Sequence, residues 1–395
     1  MTPATDLLDP TWWQGDPQAD YRALLDHEGL WRDERSGFWM AARHADLLAV
    51  ERDDETFASR ADGGGAYRVN PSPGETTMIS KDDPEHLAQR RIVNRRFTPK
   101  AVRDHTAHYT ELVDDLVTGA CAEVSDHGHV EVVDAMAAQL PCRVTAELLG
   151  FGPDLWREVK SWSERQMRID SAVIDPSLFE SFIGSIQEWS AVMETVLPER
   201  MSEPADDLFS DWLASGMDGE TMVMETGLVI AGGAETTRTV IAHGLRTLAD
   251  RPEIWEHLAT DPSAIPLAVE ELIRWVTPLN NMFRIATADT EVAGTHVAAG
   301  DRIALVYPAA NRDPSVFDRP DEFDITRDPN PHLSFGHGAH FCLGANLARI
   351  EVRLLLEALT SRVTNLRVIT EPDVEPNIFA RAVRTFDLAW DQRAA

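Results

Sequence analysis

Phe335-Gly-His-Gly-Ala-His-Phe-Cys-Leu-Gly-Ala-Asn-Leu-Ala-Arg349 is the stretch on which the reading of this chain turns. Gly336, Gly338 and Gly344 permit a tight, bulged loop whose backbone can lie close against something flat or bulky. Cys342 falls just before an apolar helical pattern of Leu343, Leu347, Ile350 and Leu354. A cysteine at a helix start meets unpaired N–H groups and the positive end of the dipole, and both favour thiolate. A thiolate held this way can ligate a metal. Two other readings stay open at this point. One is an ordinary buried free cysteine. The other is a zinc site from His337, His340 and Cys342, which lacks a clear fourth ligand and a paired Cys-x-x-Cys.

Working outward, the most apolar stretch covers residues 222–249 and is interrupted by Glu225, Glu235 and Arg238. A membrane span wants about 20 residues with few charges, so this segment is expected to be a long buried helix. In its middle lies Ala231-Gly-Gly-Ala-Glu-Thr-Thr237. Two adjacent glycines inside a helix cost on the order of 1 kcal/mol each relative to alanine. They imply either close packing of a neighbouring helix or a local opening where a small ligand lies against the backbone. Thr236 then offers a hydroxyl at the opening and Glu235 an adjacent carboxylate. A third segment, Val269-Glu-Glu-Leu-Ile-Arg-Trp275, places Glu271 and Arg274 on one helix face, alone a weak motif.

Composition bounds the answer. Of 395 residues 43% are hydrophobic and 26% charged, an ordinary globular balance that excludes disorder and low-complexity arrays. Lys and Arg number 36 against 66 Asp and Glu, a formal charge of −30, so no nucleic acid is expected as partner. Three cysteines make no disulfide framework and suit a reducing compartment, so the chain is expected to be cytoplasmic. Residues 1–18 read as neither signal peptide nor membrane anchor, and no integral membrane association is expected. No linker or repeat divides the chain, which predicts one mainly α domain over residues 1–395 with a small β region. Residues 61–75, with Gly63-Gly64-Gly65, Pro71, Pro73 and Gly74, read as a mobile loop. Helical periodicity dominates from Glu85 to about Ala249, with breaks at Pro99, Gly152-Pro153, Pro176 and residues 202–205. Residues 290–306 alternate like strands around Gly294 and Gly300-Asp301; residues 29–42 are expected to add strands and residues 368–388 another hairpin.

The cysteine stretch closely resembles the haem-binding signature of the cytochrome P450 family, Phe-Gly-x-Gly-x-His-x-Cys-x-Gly-x-x-Leu-Ala-Arg, at every fixed position. That resemblance implies the family's fold, with haem b buried between the long central helix and the cysteine-loop helix, and Cys342 as thiolate ligand of the iron. It makes residues 231–237 the oxygen-binding groove, with Ala231 and Gly232 against the cofactor and Glu235 and Thr236 as the acid–alcohol pair. Reducing dioxygen with cleavage of its O–O bond needs two protons, positioned by a hydroxyl and resupplied from solvent through a carboxylate. Members that consume peroxide directly usually lack the pair. Glu271 and Arg274 match the family's structural ion pair, completed by Arg327 in preference to Arg319. Haem propionates need cationic partners when buried, and the matching positions are His86, Arg90, Arg284 and His340, with Phe335 and Gly344 also against the cofactor.

Residues 86–103 carry Arg90, Arg91, Arg95, Arg96, Lys100 and Arg103 and no acid, a local reversal in an acidic chain. Either acidic partners arrive from elsewhere in the fold, or the face docks an acidic electron carrier. In the family this helix lies on the proximal side of the haem, where Arg349 and Arg353 would add charge. No flavin or iron–sulfur segment is evident, so the resemblance implies a ferredoxin and a ferredoxin reductase as donors. By position in the family, Met78, Ile79, Val229, Leu279, Met282, Ile378 and Phe379 would line the substrate pocket. They are apolar, which implies a lipophilic substrate. The segments 224–238 and 281–290 look most like actinobacterial sterol- and steroid-oxidising members, with Ala234 as a departure. The expected activity is a haem-thiolate monooxygenase using dioxygen. The alternatives are a peroxide-driven haem enzyme and a non-enzymatic haem sensor.

Overall fold

The computed structural model describes residues 4–61, 64–65, 67–69 and 75–393, without the side chains of residues 61, 64 and 65. The polypeptide is mostly helical, with short strands gathered in small sheets. The apolar stretch forms one continuous helical rod. Asp218 caps it by accepting a hydrogen bond from the Thr221 N–H at 2.9 Å. α-Helix over Gly219–Ile230 passes into a π segment at Ala231–Glu235 and returns to α-helix over Thr236–Ala249. The wider turn falls on the glycine pair, the local opening that the sequence allowed.

The cysteine-loop helix runs Ala345–Arg362 and the Glu-x-x-Arg helix Ile265–Val276. Both pack on the second half of the central rod, where Leu245, Leu272, Leu355 and Leu359 belong to the main buried core. Thr277, with φ of 45°, stops the Glu-x-x-Arg helix, and its Oγ1 donates to the Arg274 carbonyl at 2.7 Å.

Five strands make the largest sheet: β1 (Trp31–Arg32), β2 (Trp39–Ala41), β3 (Phe57–Ala58), β4 (Asn281–Ala286) and β5 (Arg302–Val306). Their order is β1-β2-β5-β4-β3, with only β2 and β5 parallel. In β4 the period of two sends Phe283 into a core cluster, while Met282 and Arg284 line the central cavity. The expected strands of residues 290–306 are present, with Thr290–Val292 and Thr295–Val297 joined by Ala293-Gly294, both at positive φ. Residues 29–42 supply β1 and β2.

The C-terminal hairpin differs from expectation. Its arms are Val363–Val368 and Asp387–Gln392, so residues 368–388 are mostly the connection between them. Pro372 and Pro376 have no N–H to donate, which limits pairing there to the Val374–Val383 bridge. Within the glycine- and proline-rich stretch 61–75, Arg60–Ala61 pairs with Gly64–Gly65. The expectation of mobility falls otherwise largely on residues 62–63, 66 and 70–74, which lie outside the described residues. Among the described residues no helix is long and apolar enough to cross a membrane.

Candidate active site

The central rod, the cysteine loop, β4 and the helix Glu85–Val93 enclose one cavity. Cys342 lies on it with Phe335, Leu343 and Gly344 from its own loop and Gly232, Gly233 and Thr236 from the π segment and its exit. The loop is shaped by glycine. Gly336 and Gly338 have φ of 64° and 71°, and a Cβ on Gly338 would come 2.1 Å from the Glu51 carbonyl oxygen. Gly344 has open space at its Cβ position and leaves the cavity wall clear.

Burial pushes the Cys342 thiol up, against the Gly344 and Ala345 N–H groups and the Arg90 and Arg349 charges that pull it down. The thiolate-favouring groups expected at a helix start are therefore in place, but for the free thiol burial outweighs them. A bound cation reverses that balance, since a coordinating thiol loses its proton. The zinc alternative fails on geometry: among the described residues no group of three or more His, Cys, Asp or Glu could hold a metal ion. His337 is instead the acceptor of a 3.1 Å hydrogen bond from Arg52 Nε.

The residues expected to face haem propionates converge. His86, Arg90, Arg284 and His340 all line the cavity, and the His86 and His340 rings lie 4.2 Å apart. Arg90 is anchored on the cysteine loop through the Phe341 carbonyl at 2.5 Å, and His86 Nδ1 lies 3.0 Å from the Asp83 carboxylate. Burial, Arg284, His86 and Arg90 together hold His340 neutral, its pKa pushed down to about 2, and its buried Nε2 has no partner among the described residues. Such a concentration of cationic and donor groups around an orphaned nitrogen fits the carboxylates of haem b. Glu51 shares this wall. Burial lifts its carboxyl to about 7, and Tyr307 donates to it at 2.7 Å.

The two adjacent glycines divide the two readings between them. A Cβ on Gly233 would meet Thr145 Oγ1 at 2.6 Å, so that glycine is required by packing. Gly232 has nothing within 4 Å of its Cβ position and opens on the cavity. Ala231, expected against the cofactor, is buried in a cluster with Met167 and Phe379 and does not line the cavity. Thr236 does line it, and its Oγ1 donates to the Gly232 carbonyl at 2.9 Å across the wide turn.

Glu235 differs from expectation. It is fully buried, does not line the cavity and has no direct path to solvent. Arg238 binds it and also donates to Glu164 at 2.6 Å, and Glu164 pairs with Lys160 at 3.4 Å, so the route outward is an ion-pair chain. Burial raises the Glu235 carboxyl against the pull of Arg238.

Glu271 and Arg274 form a fully buried bidentate pair at 2.7 and 2.8 Å. Arg327 reaches the same carboxylate at 3.3 Å, and the Asp324 N–H and Asn330 amide donate to it at 2.8 and 3.0 Å. Arg319 instead pairs with acids on the surface. Arg274 also donates to the Asn311 and Pro320 carbonyls at 2.8 and 3.0 Å, tying its helix to the segment that leads into the cysteine loop.

Of the expected pocket residues, Met78, Ile79, Val229, Leu279 and Met282 line the cavity. Ile378 is fully buried in the core cluster with Phe283, and Phe379 packs behind Leu279 and Met282 under Arg68. The Leu279–Ala380 bridge turns their segment away from the opening.

The basic segment meets acidic partners, the first of the two readings that the sequence left open. Arg96 is largely buried, pairing with Asp206 and Asp211 at 2.6 Å each, and Arg95 pairs with Asp211 as well. Lys100 pairs with Asp104 at 2.8 Å, and Arg349 is bidentate to Glu270 at 2.6 and 2.9 Å. Acids from elsewhere cancel much of the local charge reversal, leaving Arg91 and Arg103 as exposed cations without an ion pair among the described residues.

Sequence reasoning missed Glu351. It lies on the cysteine-loop helix four residues after Leu347, on the same face, and lines the cavity while almost fully buried. Burial lifts its carboxyl to about 8 despite a hydrogen bond with Thr237. The signal was available as one carboxylate inside an apolar helical stripe.

Comparison with known proteins agrees with this geometry. A sequence model of the family described as Cytochrome P450 matches residues 201–383. A Mycobacterium tuberculosis steroid C26-monooxygenase is 35% identical, over 95% of this chain and 93% of its own length. An erythromycin C-12 hydroxylase of Saccharopolyspora erythraea is 36% identical, over 89% of each chain. A Mycobacterium marinum cytochrome P450 in complex with pseudoionone has the same fold, with a TM-score of 0.88, 27% identity and coverage of 98% of this chain and 99% of that one. The chain belongs to the cytochrome P450 family of monooxygenases.

Proposed function

We propose that this chain is a ferredoxin-dependent monooxygenase that hydroxylates a lipophilic molecule of the sterol, steroid, terpenoid or fatty-acid kind. The observation that carries the reading is a single cavity holding Cys342, the propionate partners and Thr236 within a mostly apolar lining. Bound through Cys342, haem supplies the redox chemistry by which dioxygen, two electrons and two protons convert a C–H bond to C–OH with release of water.

The chain's own residues bind, orient and move protons. Gly344 and Ala345 N–H groups point at the Cys342 sulfur and tune its basicity. His86, Arg90, Arg284 and His340 would hold the propionates. Met78, Ile79, Val229, Leu279 and Met282 receive an apolar substrate and exclude water. Thr236 holds a proton at Oγ1, and Glu235 resupplies it when its carboxylate exchanges Arg238 for a water contact. The buried Glu271–Arg274–Arg327 cluster keeps the loop in place. Residues 1–395 act as one catalytic unit in the cytoplasm, with electrons from a ferredoxin and its reductase. Support for the substrate class comes from the relative named for a steroid.

The test is oxidation of a steroid, a terpenoid and a branched fatty acid by the haem-loaded protein with ferredoxin, ferredoxin reductase and ¹⁸O₂. One labelled oxygen per product molecule is the expected result. Product that forms only with added peroxide, or without the label, would establish a peroxide-driven enzyme instead.

A further inference from the structure

A second cavity, of about 280 Å³, shares no lining residue with the first. It lies between the last turns of the central rod (His243, Thr247), the end of the Glu-x-x-Arg helix (Trp275, Val276) and the N-terminal segment that carries Asp16 and Arg22. Besides Arg22 at the rim, two guanidiniums face it. Arg381 is committed: it donates to the Val276 carbonyl at 2.9 Å and pairs with Asp16 at 3.0 Å. Arg312 is not. It is 6% exposed and lies over the Trp275 ring at 5.0 Å, with one weak contact to the Trp275 carbonyl at 3.4 Å. Its buried Nη1 has no hydrogen-bond partner among the described residues.

The charges around this cavity do not balance. Arg312 and Arg381 face the single carboxylate of Asp16, whose Oδ1 is itself without a partner among the described residues. Arg22 and Asp321 cancel each other at the rim, 2.9 Å apart, and burial with the Arg381 charge keeps His243 neutral, its pKa near 4. One positive charge is left over in a largely buried place, where an unpaired ion is costly. A single additional negative charge would remove the excess. A guanidinium presents a planar fork that suits a carboxylate, and Trp275 and Val276 offer an apolar flank for a short carbon chain. A doubly charged phosphate would overshoot the balance beside Asp16.

We propose that this cavity is a binding site for a small organic monocarboxylate, held by the free edge of Arg312. The site is separate from the substrate cavity and independent of what the haem cavity oxidises. The Asp16 carboxylate, which feels the charges of both Arg381 and Arg312, then opposes the ligand electrostatically. That opposition gives the proposal a sign that a purely structural ion cluster would not show.

The experiment is titration of the haem-loaded protein with butyrate, followed by saturation-transfer NMR of the ligand, with inorganic phosphate as a second probe. Imidazole is present throughout to keep butyrate away from the iron. Saturable butyrate binding is expected, weakened about tenfold or more in Arg312→Gln and tightened severalfold in Asp16→Asn, with phosphate weaker than butyrate. Because Arg312→Gln removes a buried side chain and could unfold the chain, Asp16→Asn and Arg381→Lys serve as independent variants. No saturable binding to the wild type would mean that water alone fills the cavity, and would overturn the proposal. Butyrate affinity unchanged in Asp16→Asn, or phosphate bound more tightly than butyrate, would overturn it equally.

Discussion

Arg238 clamps Glu235, the carboxylate next to Thr236, and both side chains are buried away from the cavity that Thr236 lines. The acid and the alcohol are therefore neighbours in sequence but occupy different environments, one in an ion-pair chain and the other on the cavity wall. Proton transfer between them requires Glu235 to leave Arg238, at least transiently. Two variants separate the roles. Thr236→Ala should retain haem and substrate binding while diverting most reducing equivalents to peroxide or water. Glu235→Gln should slow turnover by about 10²-fold, the scale of one general acid, and enlarge the solvent isotope effect, with less diversion. Product yield per electron, measured for both, decides it; equal coupling in wild type and Thr236→Ala would remove Thr236 from the relay.

The buried Glu271 carboxylate serves two arginines and a backbone N–H, so it cannot be neutralised cheaply. Glu271→Gln leaves Arg274 and Arg327 without their counter-ion and should cost about 3–5 kcal/mol. Haem content after purification should fall sharply and the urea midpoint should drop. A variant that keeps both at wild-type levels would mean that the cluster is dispensable for holding the loop.

Electron delivery is testable with the charges that remain free. Arg91→Glu combined with Arg103→Glu should slow reduction by ferredoxin through the association rate, and added salt should shrink the defect because screening acts within about 10 Å at 0.1 M. Arg96→Glu is a different kind of change. It sets a third carboxylate beside Asp206 and Asp211 and should lower stability first. Stopped-flow reduction across a salt series, with the substrate-binding spectrum as control, separates docking from folding. Wild-type rates for the double variant at low salt would place the docking face elsewhere.

A pH effect follows from Glu225, fully buried on the central rod. It accepts from the Met78 N–H at 2.6 Å and the Gln89 amide at 2.5 Å, and burial lifts its carboxyl to about 7. The folded chain therefore holds this proton more tightly than the unfolded chain does. Its contribution to stability is complete below the unfolded value near 4.5 and is lost as pH rises toward 7. Glu225→Gln should flatten the urea midpoint between those limits. An unchanged slope would mean that Glu225 ionises in the folded protein near its ordinary value of 4.5.

What could be read from the sequence depended on how local the constraint was. The glycine-rich cysteine loop, the Gly232-Gly233 opening and the Glu271–Arg274 spacing are short-range patterns whose geometry follows from a helix or a turn. Thus Cys342, Thr236 and the ion pair could be named without coordinates, through their match to the family's motifs. The misplaced residues depend on long-range encounters. Asp206 and Asp211 reach Arg96 from more than 100 positions away, and no pattern near residue 96 announces them. Ile378 and Phe379 were turned inward by the pairing of Leu279 with Ala380, and Glu51 reached the cavity wall from a separate helix. The surplus charge at Arg312 was equally hidden, because Asp16, Arg312 and Arg381 come from three distant parts of the chain.

The most direct measurement is the absorption spectrum of the reduced, carbon monoxide-bound protein, recorded for wild type, Cys342→Ser, Cys121→Ser and Cys142→Ser. Cys142 is buried in the core with its thiol raised by burial, and Cys121 is partly exposed on another helix, so neither lines the cavity. Wild type, Cys121→Ser and Cys142→Ser should all give the red-shifted Soret band of thiolate ligation, and Cys342→Ser should lose it. A folded, haem-loaded wild type without that band, or a Cys342→Ser protein that keeps it, would contradict the assignment of Cys342 as the ligand.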